Sequence, residues 1–422
     1  MKILITGSNG FLAKNLIAQL KNIQEGKDKS FDVNSNFEIF EYDIDTKAEL
    51  LDEYCKKADF VFNLAGVNRP ENQDEFMKGN FGFASTLLDT LKKYSNNCPV
   101  MISSSTQAAL DNPYGESKKA GEDLMIQYSK ETGAKVLIYR FPNIFGKWCR
   151  PNYNSAVTTF CHNIAHDLPI QINDRNYQMN LVYIDDVVAE LIHTLEGEGT
   201  KVQITKFKVH AEEVSFSCYY EVSIVHQITL GEIIDLLCSF KESRSNDNLT
   251  IPNMDNAFVK KLYSTYLSYL QENAFAYPLK MNIDNRGSFT EMLKTTDRGQ
   301  VSINISKPGI TKGNHWHHTK NEKFLVVRGK GVIRFRKVQS SISKVQQEKK
   351  NFELSTLNFK TIETEKGTVY EYYVSGDKLE VVDIPVGYTH NIENLGNTDM
   401  VTVMWVNEIF DPLKPDTFFE KV

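Results

Sequence analysis

A short apolar run, Lys2-Ile3-Leu4-Ile5-Thr6, gives way to Gly7-Ser8-Asn9-Gly10 and then to apolar residues at helical spacing from Phe11 to Leu20. Strand, glycine turn and helix in that order constrain the fold more than anything else in the chain. The first glycine makes the tight turn, the second lets a pyrophosphate approach the backbone, and the small Ala13 lets helix and strand pack closely. Further apolar runs at Phe37–Tyr42, Phe60–Leu64, Val100–Ser104 and Val136–Phe141 read as strands. Helical patterns near Lys47–Lys57, Asn80–Tyr94 and Pro113–Thr132 separate them. That alternation predicts a Rossmann-type, doubly wound α/β domain with a parallel sheet covered on both faces.

Beyond about Pro278 the pattern changes. Short β-branched runs at Val301–Ile305, Phe324–Val327, Val332–Phe335, Glu380–Ile384 and Met400–Val406 are separated by glycine-bearing turns, which predicts an all-β sandwich or barrel. We therefore expect two domains, 1–278 and 279–422, as 422 residues exceed what one core usually organises. Trp148–Tyr277 should supply the substrate-holding part of the first, with its clearest helices at Leu230–Phe240 and Phe258–Leu270. Two polar stretches, Gly197–Lys208 and Val338–Gly367, read as surface excursions.

The net charge of −6 offers no basic field for nucleic acid or an anionic membrane, so the expected partners are small molecules and other protein chains. The six cysteines include no Cys-x-x-Cys pair, which argues against a disulfide framework and against a thiolate zinc knuckle. Gly7 interrupts the first apolar run with no cleavage site after it, and no 18-residue apolar stretch occurs. The expected location is the cytosol.

Chemistry enters with two segments. Ser103-Ser104-Ser105-Thr106 follows a strand, and Pro113-Tyr114-Gly115-Glu116-Ser117-Lys118 opens a helix, with Tyr114 and Lys118 on one face. Reduction of a carbonyl by hydride needs an acid for the developing alkoxide. A tyrosine serves if a lysine cation lowers its pKa and a hydroxyl orients the carbonyl oxygen. Tyr114, Lys118 and Ser105, with Ser104 as the alternative hydroxyl, can fill those roles. A surface Tyr-Lys pair is the plain alternative, weakened here by the glycine turn upstream.

At these residues the first 200 or so positions resemble the extended short-chain dehydrogenase/reductase family. Leu64-Ala65-Gly66, Asn80, Arg140-Phe141-Pro142-Asn143 and Leu181-Val182-Tyr183-Ile184-Asp185-Asp186-Val187 add to the likeness. The resemblance implies that Gly7, Gly10, Phe11, Leu12, Ala65, Gly66 and Lys118 hold a nicotinamide cofactor and that Asn143 touches a nucleotide sugar. An acidic residue after the second strand usually binds the ribose 2′-hydroxyl and favours NAD. Asp43 or Asp45 could do that, Asp43-Ile44 could instead line the adenine, and a solvated loop aspartate is the bland reading. NADP(H) is expected over NAD(H).

In the second half, Gly309 through His315, Trp316 and His317, followed by Glu322 and Gly329, precede Pro385-Val386-Gly387-Tyr388-Thr389-His390 and Asn394. Histidines two apart on a strand project to one face, and three imidazoles with one carboxylate suffice for a divalent metal with open positions. These spacings resemble both cupin motifs. The implied ligands are His315, His317, Glu322 and His390, the implied metal is zinc, and the implied fold is a jelly-roll barrel; His318 reads as solvated. Asp284 through Glu291, Asn304-Ile305-Ser306 and Lys312-Gly313-Asn314-His315 are in addition similar to nucleotide-sugar 3,5-epimerases. That likeness implies a sugar held by Arg286, Phe289 and Glu291, with Lys312 steadying an enolate. A metal-bound imidazole has no free lone pair, so His315 cannot be both ligand and base. With metal bound, the base falls to Glu322, His318 or Tyr388.

Taken whole, the chain resembles bifunctional capsular-polysaccharide enzymes in which a short-chain reductase is joined to a cupin. The resemblance implies a dimer acting on a UDP-2-acetamido-2,6-dideoxy-4-keto-hexose, epimerised at carbon 3 by the cupin and reduced at carbon 4 by the reductase to the L-talose product. A reductase with a merely structural cupin, and a non-enzymatic nucleotide sensor on the same folds, are the rival readings.

Overall fold

The structure is a computed structural model that describes residues 1–70, 72–201, 218–338 and 359–422. The chain folds as two units, Met1–Phe240 with Met254–Glu272, and Lys241–Asn253 with Asn273–Val422.

The first unit is built on β1 (Lys2–Thr6), β2 (Glu38–Tyr42), β3 (Phe60–Asn63), β4 (Val100–Ser105) and β5 (Val136–Phe141). After β6 (Asn143–Phe145) and β7 (Gln178–Tyr183) come the short β8 (Tyr219–Tyr220) and β9 (His226–Thr229). The main sheet runs β2-β1-β3-β4-β5-β8, parallel throughout, and β6-β7-β9 form a smaller sheet. Both faces of the main sheet are buried, which is why its strands read as unbroken apolar runs. Ile3, Ile5, Phe60, Phe62, Met101, Leu137 and Tyr139 pack into one layer. Leu4, Val61, Val100, Ile102, Val136 and Ile138, alternating with them, pack into the other. Strand order reverses between β1 and β3, and in open sheets the crevice beyond the strand ends at such a reversal is where nucleotides bind.

The helix Pro113–Thr132 has both its ends written in the sequence. Asn112 caps it by accepting the Gly115 N–H at 2.9 Å, Pro113 starts it, and Gly133 ends it at φ 72°. Asn80, expected to open a helix, instead lies inside one: a π-helical turn, Met77–Gly82, joins Asp74–Phe76 to Phe83–Lys93. The widened turn delivers the Asn80 amide to the Val67 backbone, donating to its carbonyl and accepting its N–H, each at 3.0 Å.

The second unit is all β among the described residues from Met281 onward. Its strands are β10 (Met281–Asp284), β11 (Gly287–Thr295), β12 (Gly299–Ser306), β13 (Thr311–Trp316), β14 (Glu322–Arg328) and β15 (Lys330–Lys337). Then follow β16 (Phe359–Thr364), β17 (Gly367–Ser375), β18 (Val381–Ile384), β19 (Tyr388–Asn394), β20 (Met400–Val406) and β21 (Phe418–Phe419). They form two antiparallel sheets, β10-β11-β12-β20-β14-β18 and β16-β17-β15-β19-β13-β21, the jelly-roll barrel of a cupin. Apolar side chains including Phe324, Val326, Ile333, Phe335, Ile392 and Met400 fill part of the interior. β12 contributes a different wall, since Gln300, Ser302, Asn304 and Ser306 are the buried residues of its alternation. Of the two polar excursions, 202–208 and 339–358 lie outside the described residues; the end of the second forms β16, which pairs with β17 as a hairpin.

Candidate active sites and metal centre

At the reversal point, Gly7 turns the chain with φ 65°, and a Cβ there would stand 2.7 Å from the Ala65 Cα. The tip of β1 and the end of β3 can therefore meet only through glycine. The helix Phe11–Gln24 begins after Gly10 with no side chain capping it, so its first N–H groups face the turn and suit a pyrophosphate. The Asp43 carboxylate accepts the Asn9 N–H at 2.7 Å, which ties the end of β2 to the same turn, while Ile44 beside it is 93% exposed. Gly66 closes the far side: a Cβ there would meet the Asn80 amide oxygen at 2.8 Å and the Lys118 ammonium at 3.1 Å.

The reductase residues converge above β4. Lys118 is buried, donates to the Ser103 carbonyl at 3.2 Å and lies 5.7 Å from the centre of the Tyr114 ring. Burial brings its ammonium down to about 8, with the Glu122 carboxylate pulling the other way. Burial likewise raises the Tyr114 phenol, opposed by a hydrogen bond with Ser105. Tyr114 donates to the Asn68 side-chain oxygen at 3.1 Å. The sequence assigns no role to Asn68, which lies two residues beyond the Leu64-Ala65-Gly66 segment. Ser104 donates instead to the buried Glu122 at 2.6 Å, and Arg140 clasps the same carboxylate at 2.8 and 2.6 Å. Asn143 is exposed at the start of β6.

In the barrel, the ligand atoms of His315, His317, Glu322 and His390 all lie within 4.8 Å of one another. A Glu322 oxygen is 3.1 Å from His390 Nε2 and 3.6 Å from His317 Nε2. Those three buried atoms have no hydrogen-bond partner, an arrangement that costs stability unless something positive sits among them. Burial, then the neighbouring His390, depresses His315 to about 4, so its imidazole is neutral and ready to donate at physiological pH. The residues present fit a divalent ion. His318 lies apart, exposed, its ring against Trp316 and Phe418. Tyr388 stands at the start of β19 and packs against the apolar part of the barrel.

Lys312 and His315 are three apart on β13 yet face the same interior, because the strand bulges between Gly313 and His315 with Asn314 at φ 61°. Lys312 crosses to the opposite sheet, donating to Asn304 at 2.7 Å and to the Ile305 carbonyl at 2.8 Å, and burial lowers its pKa. Arg286, Phe289, Asn304 and Lys312 line one groove. Glu291 is not among its walls; it pairs with Lys294 at 2.6 Å. Register nevertheless puts Phe289 and Glu291 on the Glu322 face of the sheet, through Asn304 and Ser302 on β12, Thr402 and Met404 on β20, and Val326 and Phe324 on β14.

A parallel sheet with a glycine turn and a Tyr-Lys pair, joined in one chain to a cupin with a metal-competent cluster, defines a nicotinamide-dependent sugar-nucleotide reductase/epimerase class. Residues 3–205 match the model of the NAD dependent epimerase/dehydratase family, and residues 282–356 and 354–418 that of the polysaccharide biosynthesis C-terminal domain. The chain is 38% identical to the UDP-2-acetamido-2,6-beta-L-arabino-hexul-4-ose reductase of Pseudomonas aeruginosa over 99% of its own length and 98% of that protein's. It is similar to the crystal structure of the capsular polysaccharide assembling protein CapF from Staphylococcus aureus, with TM-score 0.82, 52% identity and both chains fully covered. CapF with the inhibitor 3-isopropenyl-tropolone gives TM-score 0.79 at 48% identity, again over both full chains. The chain belongs to this two-domain family of nucleotide-sugar enzymes, in which an epimerase/dehydratase-type domain precedes the polysaccharide biosynthesis C-terminal domain.

Proposed function

We propose that the chain converts a UDP-2-acetamido-2,6-dideoxy-4-keto-hexose to UDP-2-acetamido-2,6-dideoxy-L-talose, a precursor for capsular or other surface polysaccharide. The observation that carries this reading is the half-buried Lys312 ammonium, held by Asn304 and the Ile305 carbonyl against the buried polar wall of β12. A purely structural barrel has no use for a cation there.

The ketone at carbon 4 acidifies the proton on carbon 3. Removal of that proton leaves its electron pair in the enolate, whose oxygen Lys312 stabilises, and return of a proton to the other face inverts carbon 3. A carboxylate has a second oxygen where an imidazole has no second lone pair, so Glu322 can serve both a metal and the proton. His315, His317, Glu322 and His390 would hold the divalent ion, zinc, which would supply Lewis-acid polarisation of the ketone. Arg286, Phe289 and Glu291 hold the nucleotide sugar.

In the reductase, Gly7, Gly10, Phe11, Leu12, Asp43, Ala65, Gly66 and Lys118 would hold a reduced nicotinamide, whose chemistry there would be hydride delivery to carbon 4. Ser105 orients the carbonyl oxygen, Tyr114 gives it a proton, and the Lys118 cation stabilises the phenolate left behind. Asn143 holds the sugar. NADP(H) is the preferred cofactor: the Asp43 carboxylate is engaged by the Asn9 N–H, so Asp43 meets the cofactor beside the adenine and not at a ribose 2′-hydroxyl. The working form is a cytosolic homodimer, to which the six free cysteines are suited. The test is oxidation of NADPH and of NADH with the 4-keto-sugar, with product stereochemistry read by NMR. Faster turnover with NADPH and a talo product supports the reading; a product that retains its configuration at carbon 3 overturns it.

A further inference from the structure

Residues 416–422 are stitched to β13, which carries His315 and leads directly into His317. β21 pairs with β13, His315 opposite Phe419 and Trp316 opposite Phe418. Glu420 donates its N–H to the Asn314 carbonyl at 2.9 Å, and Thr389, next to His390, donates its hydroxyl to the Glu420 carbonyl. Arg336, buried, fixes the end of the segment through the Glu420 carboxylate and the Lys421 carbonyl, both at 2.7 Å.

Asp416 is the centre of this strap. Its carboxylate accepts the N–H groups of His318, Thr319 and Lys320 at 3.0, 2.9 and 2.9 Å, and the Thr319 hydroxyl at 3.0 Å. Its own backbone carbonyl lies 2.5 Å from His317 Nδ1. One residue thus holds the loop that follows His317 and also engages the far nitrogen of the His317 ring. With Nδ1 donating to that carbonyl, Nε2 is left as the lone-pair nitrogen, and Nε2 is the buried, unpartnered atom facing Glu322. Asp416 adopts φ 39°, a left-handed conformation that the folded strap must enforce.

We propose that Asp416 is a positioning residue for the metal centre, fixing the tautomer and aim of His317 from outside the ligand set. The inference rests on the reading of His315, His317, Glu322 and His390 as metal ligands. Partners in this outer position orient imidazole ligands, and their loss typically weakens metal binding by about 10- to 100-fold.

The test uses the full chain, stripped of metal and titrated with Co²⁺ against a chelator of known affinity, for the parent, Asp416→Asn and Asp416→Ala. Visible absorption of the bound Co²⁺ reports ligand geometry without any substrate. Asp416→Asn keeps the backbone carbonyl and one side-chain oxygen, so the expected order of affinity is parent, then Asn, then Ala, with Ala weaker by about 10- to 100-fold and a changed Co²⁺ spectrum. Unchanged affinity and spectrum in both variants overturns the role of Asp416 alone. A folded parent that takes up no Co²⁺ overturns the metal reading and this inference with it. Near-ultraviolet circular dichroism and thermal melts of the same samples check that the barrel unit of each variant is folded; if that of Asp416→Ala is not, the comparison of parent with Asp416→Asn decides.

Discussion

Ser104 donates its hydroxyl to the Glu122 carboxylate at 2.6 Å, deep beneath the Tyr114–Lys118 face. The neighbouring Ser105, on the alternate side of the strand end, is the hydroxyl whose proximity to Tyr114 opposes the rise in the phenol's pKa. Ser105→Ala should lower kcat/KM for ketone reduction by about 100-fold while cofactor still binds. Ser104→Ala should leave the rate within a few-fold and lower thermal stability, because Glu122 loses a buried partner. Steady-state kinetics and thermal melts on the two variants separate the roles.

Lys118 gives the reductase a pH limit. Its ammonium titrates near 8, so the cation that stabilises the phenolate is lost above that value, and reduction should fall on an alkaline limb near pH 8. Linkage runs the same way in sign: the folded protein binds this proton less tightly than the unfolded chain. The stability cost is fully present below about 8 and is relieved as pH rises toward the ordinary lysine value. A pH–rate profile of NADPH oxidation checks the limb, and Lys118→Met should abolish it along with most of the activity.

Gly7→Ala should remove dinucleotide binding without unfolding the sheet. The new methyl would press on the Ala65 backbone at 2.7 Å in a conformation already unfavourable to an L side chain. Cofactor titration by nicotinamide fluorescence is expected to show affinity down by at least about tenfold, from the one or two kcal/mol of such strain.

Lys312→Met should cut exchange of the carbon 3 proton by about 100- to 1,000-fold, the usual loss for a group that stabilises an oxyanion. The methionine keeps the stem packed, and the reductase unit should still reduce a ketone substrate already inverted at carbon 3. Proton exchange followed by NMR checks the first statement, and NADPH oxidation with the pre-epimerised sugar the second.

Much of this was legible before any coordinates. Asn112, Pro113 and Gly133 announce the Tyr114 helix end to end, since capping chemistry is local. The four metal-competent residues are those that the resemblance to the two cupin motifs implies, and they meet in one cluster. Lys312 and His315 are harder: strict alternation would set them on opposite faces, and only the bulge at Asn314 turns them the same way. Strand β12 misleads in another manner. Its Gln300, Ser302, Asn304 and Ser306 alternate with apolar residues as a solvent-facing strand would, yet they are the buried side and the apolar ones are not. Glu122, Asn68 and Asp416 act through partners 18, 46 and about 97 residues away, and no local pattern announces such pairings.

The central claim is that one chain carries two separate chemistries, and Tyr114→Phe in heavy water addresses it most directly. With the 4-keto-sugar and NADPH present, deuterium incorporation at carbon 3 and NADPH absorbance are followed together. The account predicts deuterium uptake near the parent rate with almost no NADPH consumed. A variant, and a parent, that never exchange that proton would contradict it.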